Sequence, residues 1–213
     1  MRTWAFLLIS GLVTACSAEK SGSVVHADNP AGNTSLGATV TGQDGAMSLA
    51  GAHNAIFSFV KEGNQNGLVL LISDANDICD MYGASQQMAD TNSLMMFVVS
   101  YGSDPNSFET PVSGTYAFVR PASYQWQAGL HQVLGLASKL DGTCAETLHD
   151  AAFYSETGSL ALSNISASTL QGSFTMGIND GVDTLAGKFV AANCPSLGEA
   201  VVKKISLTCV KRP

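Results

Sequence analysis

Basic residues are scarce in this chain: 10 Lys and Arg stand against 17 Asp and Glu, a net charge of −7 over 213 residues. A surface of that sign repels phosphate backbones and anionic headgroups, which argues against nucleic acid as a partner. No CxxC pair occurs, so a thioredoxin-like redox site and a zinc knuckle are both disfavoured. The histidines, His26, His53, His131 and His149, are scattered with no HExxH or HxH spacing to bring two imidazoles to one metal. His131 falls on the more polar face of its strand and His149 in a loop, so both read as solvated surface residues. There is no GxSxG elbow. The SxxK match at Ser58 to Lys61 lies in an alternating segment that points the two side chains to opposite faces, and it has no KTG or SDN partner.

Carboxylates cluster at "DANDICD" and "NDGVD", but neither run fits a calcium loop. Counted from Asp74, the sixth residue is Cys79 and the twelfth Ser85, where an EF-hand needs glycine and a bidentate acid; from Asn179, no glutamate follows within the loop. Asp180 and Gly181 are read as the bend of a hairpin, with Asp183 facing water. The chain is therefore read as non-catalytic, with no metal and no cofactor. A site assembled from dispersed residues is a further reading.

Long apolar runs are also missing. The longest, Trp4 to Val13, is about half the roughly twenty residues of a membrane span. Behind Arg2 it has the length of a signal-peptide core. It ends in "LVTAC", residues 12–16, with Val13, Thr14 and Ala15 ahead of Cys16. This segment resembles the lipobox of bacterial lipoproteins. The resemblance implies cleavage after residue 15, a diacylglycerol on the Cys16 sulfur and an acylated new amino terminus. It also implies an outer-membrane address, because Ser17 stands where an aspartate retains some lipoproteins at the inner membrane. Three acyl chains on one residue suffice to hold a protein at a bilayer without a spanning helix. Loss of residues 1–15 removes one base, Arg2, and no acid, which moves the net charge from −7 to −8.

With Cys16 set aside, Cys79, Cys144, Cys194 and Cys209 remain. An even number in an oxidising compartment predicts two disulfides, with three connectivities open. Residues 16–35 are small and polar without apolar period, as a flexible tether is, so residues 36–213 form one domain.

Within that domain the apolar period is mostly two, the mark of half-buried strands. "GATVTGQDGAMSLAGA" reads as two strands about "GQDG". "AIFSFV" and "GLVLLIS" read as a hairpin about "EGNQN", where Gly63 and Asn64 suit positive φ. Residues 78–89 are predicted to hold one short helix, with Asp77 as N-cap. "SLMMFVVSY" is apolar on both faces and predicts a strand covered on both sides, one of them by that helix. Over 130–140, Leu130, Leu134, Leu136 and Leu140 share one face, and His131, Val133, Ala137 and Lys139 the other. Short strands follow at close intervals to the C-terminus. The fold class is all-β, mainly antiparallel, of about eight to ten strands in a barrel or sandwich. The near repeat "TLQGSF" (169–174) and "TLAGKF" (184–189) marks adjacent strands. Gly172 and Gly187 stand at bulges or under a large neighbour.

One stretch is a candidate ligand platform. "YAFVRPASYQWQAG", residues 116–129, sets Tyr116, Tyr124 and Trp126 near Arg120, and aromatic faces on a rigid sheet suit sugars or apolar ligands. Gln125 and Gln127 alternate with the rings, as they also do in a strand turning them into a core, and the alternation favours core packing. The expectation is a membrane-anchored bacterial lipoprotein of the outer membrane, facing the periplasm or the surface. Its β domain serves binding or envelope structure, with the protein or small-molecule partner unspecified. The alternatives are a barrel carrying a small apolar ligand inside, and a hydrolase with a dispersed site.

Overall fold

The computed structural model describes residues 37–41, 43–44, 47–49, 51–104, 107–120, 127–147, 154–178 and 182–212. The leader, Cys16, the tether, His26, Tyr124, Trp126, His149, Asp180 and Gly181 lie outside the described residues. In chain order the elements are β1 (Gly37–Thr41), β2 (Gln43–Asp44), β3 (Met47–Ser48), β4 (Asn54–Glu62), β5 (Gln65–Ser73), α1 (Ile78–Gly83), β6 (Gln86–Met88) and β7 (Asn92–Tyr101). There follow β8 (Phe108–Glu109), β9 (Gly114–Phe118), β10 (His131–Lys139), β11 (Thr157–Ile165), β12 (Thr169–Ile178), β13 (Asp183–Asn193), α2 (Pro195–Lys203) and β14 (Thr208–Val210).

The strands close into a barrel. Around the ring run β13, β12, β11, β9, β10, β7, β5 and β4, and the ring shuts where Ala192 and Asn193 of β13 pair with Ile56 and Phe57 of β4. The same edge of β13 is long enough to take β1 along Ala186 to Val190, so β1 is the ninth strand. Its Ala38 N–H also donates to the His53 carbonyl ahead of β4. Around the ring, pairing is antiparallel except at β9–β10 and β13–β4. Where β9 ends, Ser155 takes over beside β10. Its backbone N–H donates to the Gly135 carbonyl, its hydroxyl accepts from the Gly135 N–H and donates to the Val119 carbonyl, and it is fully buried.

Closure gives each strand an inner and an outer face. Every strand of the ring and β1 contribute buried apolar side chains to the interior, among them Phe57, Leu70, Met96, Tyr116, Leu160, Phe174 and Leu185. A second cluster lies outside the wall, where Ile56, Val69, Leu71, Phe97 and Leu134 meet Ile78 of α1 and Leu197 and Val201 of α2. β7 is thus buried on both faces, as its sequence predicts, with Met95 and Phe97 in the outer cluster that α1 and α2 share. α2 itself was not anticipated, although Pro195 at its first turn and Leu197, Ala200 and Val201 at helical spacing are ordinary signals. It lies close against β4: a Cβ on Gly198 would stand 3.1 Å from the Phe59 carbonyl oxygen and overlap the Ser58 hydroxyl.

Three local expectations need correction. The "GQDG" segment does not join two paired strands: β1 pairs with β13, and the small hairpin is β2–β3. The helix stops at Gly83, and Gln86–Met88 form a strand that pairs parallel with β14. Asp77 precedes that helix but does not cap it; it sits in the left-handed region at φ 51° and only its carbonyl accepts, from Met81 N–H. The β4–β5 hairpin forms as predicted, with Glu62 opposite Gln65 and Gly63 at φ 60°, while Asn64, expected at positive φ as well, does not adopt it.

The cysteines pair as Cys79–Cys194, which ties α1 to the start of α2, and Cys144–Cys209, which ties the loop after β10 to β14. They close 115 and 65 residues of chain, and bridges of such span contribute about 2–5 kcal/mol each. The Arg212 guanidinium then donates to the Asp74 and Asp90 carbonyls at 3.0 and 2.9 Å, fixing the end of the chain across the barrel rim.

The near repeat has a packing reason. Gly172 stands opposite Phe189, and Phe174 opposite Gly187, in the β12–β13 ladder. A Cβ on either glycine would come within 2.8 Å of the facing phenylalanine ring and overlap a carbonyl oxygen of the strand on its other side, that of Ala161 or Thr39. Each ring therefore occupies the space its opposite glycine leaves. Gly172→Ala and Gly187→Ala are each expected to destabilise the domain by about 1–3 kcal/mol through overpacking. Denaturant unfolding of the oxidised protein checks this; an unchanged midpoint for both would refute the packing explanation.

Candidate functional site

The aromatic stretch does not assemble as a platform from its described residues. Tyr116 is fully buried inside the barrel. Its hydroxyl accepts from Val112 N–H at 2.9 Å and donates to Val112 C=O at 2.7 Å, which locks the turn into β9 four residues upstream. Arg120 points elsewhere, to a 2.8 Å ion pair with Glu156 that ties the end of β9 to the approach to β11. The alternation of rings with glutamines favoured core packing, and for Tyr116 the core is where the ring lies.

Two arrangements assemble instead from residues far apart in sequence. The first is a polar cluster at one end of the barrel interior. His131 Nδ1 lies 3.0 Å from Ser100 Oγ, Ser100 Oγ lies 3.3 Å from the Tyr116 hydroxyl, and the His131 ring is tilted against that of Tyr116 at 5.1 Å. This corrects the surface assignment of His131. The strand face it shares with Val133 and Ala137 is the inner one, and the leucine-rich face of β10 is the outer one, where Leu134 is buried in the cluster that includes α2 and Leu136 is half-buried against it. Counting polar residues per face misjudged it because both faces of β10 are covered. A serine hydroxyl bonded to an imidazole is the beginning of a nucleophilic pair. Here, however, Ser100 is 2 % exposed, with its oxygen shared between the imidazole and a phenol.

The second arrangement is an apolar groove of about 60 Å³ on the outside of the wall, beneath the C-terminal half of α2. Val60 of β4, Phe97 and Val99 of β7, Phe108 of β8, Leu134 of β10 and Val201 of α2 line it, and Lys61, Glu62, Gln65 and Asn66 border it. Its residues come from six elements, which is why no single stretch of sequence pointed to it. The one legible signal was the helical spacing of α2.

The remaining candidates have structural roles. The Asp74 carboxylate accepts from Asn92 N–H at 3.0 Å and Asn92 Nδ2 at 2.8 Å. Ser58 is buried under α2 with its hydroxyl donating to the Phe59 carbonyl, while Lys61 is exposed. His53 is exposed, its ring contacting the Gly51 carbonyl and the Asn76 amide oxygen. Asp183 stands opposite Ile178 at the base of the β12–β13 hairpin. Among the described residues no three His, Cys, Asp or Glu side chains gather closely enough to hold a metal ion.

Charge regulation is modest. Burial pushes the Tyr82 phenol up to about 12, and burial also raises that of Tyr154, so both stay protonated beside the outer cluster. The side-chain hydroxyl and backbone N–H of Thr143, with the N–H of Ala145, hold the Asp141 carboxyl below its ordinary 3.8. That turn carries Cys144, and since the folded value is depressed, its stabilisation is complete above the ordinary value and fades as pH falls through the folded one.

Tyr116→Phe tests whether the polar cluster is structural. Without the hydroxyl, the N–H and C=O of Val112 and the hydroxyl of Ser100 lose a partner, and the expected loss is about 1–3 kcal/mol in urea unfolding. A variant as stable as the parent would show that the hydroxyl is not needed for the fold. Compared with family models, curated proteins and solved structures, the chain matches none of them.

Proposed function

We propose that this chain is a lipid-anchored extracytoplasmic protein whose β-barrel domain works by binding rather than by catalysis. The two disulfides suggest an oxidising, extracytoplasmic compartment, and they are the observation that carries the reading. The lipobox-like "LVTAC" supports attachment through Cys16. None of the described helices is long and apolar enough to cross a bilayer. On this reading the tether holds the domain on the order of 25 Å from the membrane, from about 5–6 Å times the square root of its length.

Binding in the barrel interior is the weaker form of the proposal. Side chains from all nine strands, including Phe57, Tyr116 and Phe174, meet where a carried ligand would sit. The exterior groove, apolar and bordered by polar groups, has the character of a small-ligand site. The hydrolase alternative has only the Ser100–His131 contact to start from, and the burial of Ser100 favours binding.

The anchor is tested by growth with labelled palmitate. The parent chain is expected to take label and sediment with membranes, and Cys16→Ser to do neither. Label retained by Cys16→Ser would sink the lipoprotein reading.

A further inference from the structure

Left-handed backbone collects in one part of the molecule. Among the described residues, the non-glycine positions at positive φ are Asp77 (51°), Ser85 (54°), Asp90 (55°), Cys144 (60°) and Lys204 (51°). None lies in a strand of the ring. Asp77, Ser85 and Asp90 flank α1 and β6, Cys144 sits in the loop after β10, and Lys204 joins α2 to β14. A residue with a Cβ meets steric resistance in that conformation, so it persists only where its surroundings hold it.

Here the hold comes from bonds between these same segments rather than from burial. Thr208 N–H donates to Ser85 C=O at 2.8 Å, Ala89 N–H to Val210 C=O at 2.8 Å, and Asp90 N–H to Asp141 C=O at 3.0 Å. Within 77–90 only Ile78 and Ala89 are buried, and no residue of β14 is. The disulfides fasten the same pieces, Cys79 of α1 to Cys194 and Cys209 of β14 to Cys144, and neither bridge has an end in a ring strand. By contrast α2 keeps an apolar hold of its own, with Leu197, Ala200 and Val201 buried.

We propose that the α1–β6 segment and the C-terminal arm from Lys204 form a redox-sensitive clasp. The two bridges hold both pieces in their strained form, and a dithiol that reduces the bridges releases both while the ring stays closed and α2 stays on the wall. Release takes Ile78, with Tyr82 and Met88 packed beside it, off the outer cluster. The device goes beyond the binding reading and depends on neither the anchor nor the groove.

Cys194 and Cys144 are buried, whereas Cys79 and Cys209 are half-buried, so each bridge is approached through one of the latter two. A thiolate of the dithiol attacks that sulfur, the bond between the two protein sulfurs breaks, and Cys194 or Cys144 leaves as a thiolate and takes up a proton. The second thiolate of the dithiol then attacks the reagent's own sulfur in the mixed disulfide. Cys79 or Cys209 leaves in turn and is protonated. For each bridge the dithiol is oxidised to its disulfide, and two electrons pass to the protein.

The test uses the full chain carrying Cys16→Ser, which leaves only the four bridging cysteines, with hydrogen–deuterium exchange read peptide by peptide before and after dithiothreitol without denaturant. Alkylation and mass measurement count the free thiols. Peptides covering 77–90 and 204–212 are expected to exchange about tenfold or more faster once reduced, since unbridged segments with little burial open locally. Peptides of β5, β7, β12 and β13 are expected to keep their protection within about twofold. Ser85→Gly combined with Lys204→Gly removes the steric resistance at two left-handed positions. In the reduced protein it is expected to slow exchange of both segments about threefold relative to the reduced parent. Bridges that resist dithiothreitol, unchanged exchange in either segment after full reduction, or loss of protection in the ring together with the clasp would each overturn the proposal. Equal exchange in the reduced parent and the reduced double glycine variant would overturn the strained hold on which it depends.

Discussion

The pairing of Ala192 and Asn193 with Ile56 and Phe57 is the constraint on which the rest of the molecule depends. Without it the sheet would have two free edges and two faces exposed to water. With it the chain has one interior, filled from nine strands, and one outer wall whose apolar part must be covered. β13 makes this possible by its length. Eleven residues allow it to hold β12 along one edge and to divide the other between β1 and β4.

The covering of the outer wall explains the disulfides and the groove together. α2 begins immediately after β13 and lies back over β4, β7 and β10. Cys194 at its start is bonded to Cys79 of α1, so both helices are fixed to the same patch. A nine-residue helix is too short to be stable by itself. It is held by Leu197 and Val201 against the wall and by the bridge at its head. Beyond Val201 the helix ends, at Lys204 in the left-handed conformation. The wall continues past it through Phe97, Val99 and Phe108, and the groove is the part of the wall that the helix is too short to fill.

Much of the secondary structure was legible. The β4–β5 hairpin was written in a two-residue turn with glycine, and β7 in a run apolar on both faces. The Gly–Phe repeat announced adjacent strands, though not that each glycine makes room for the other strand's ring. That reciprocity depends on register, which no single strand contains. The faces of β10 were separated correctly and ranked wrongly. A histidine marks a face as polar in sequence, whereas here Ser100 and Tyr116 supply it with partners inside the barrel. Asp77 had the right residue type at the right place for a cap, but its left-handed backbone leaves no cap bond for its side chain to make.

By itself the sequence determined the class of the fold, most of the longer strands and the number of bridging cysteines, because each is a local matter of period, turn chemistry or residue type. The tertiary structure alone decided closure into a barrel, the choice of Cys79–Cys194 and Cys144–Cys209 among three pairings, the burial of Tyr116 with half-buried His131 against it, and the existence of the groove. Each of these depends on which distant residues are brought within a few ångströms of one another. Local periodicity says which side of a strand is apolar, and only the assembled barrel says what lies against it.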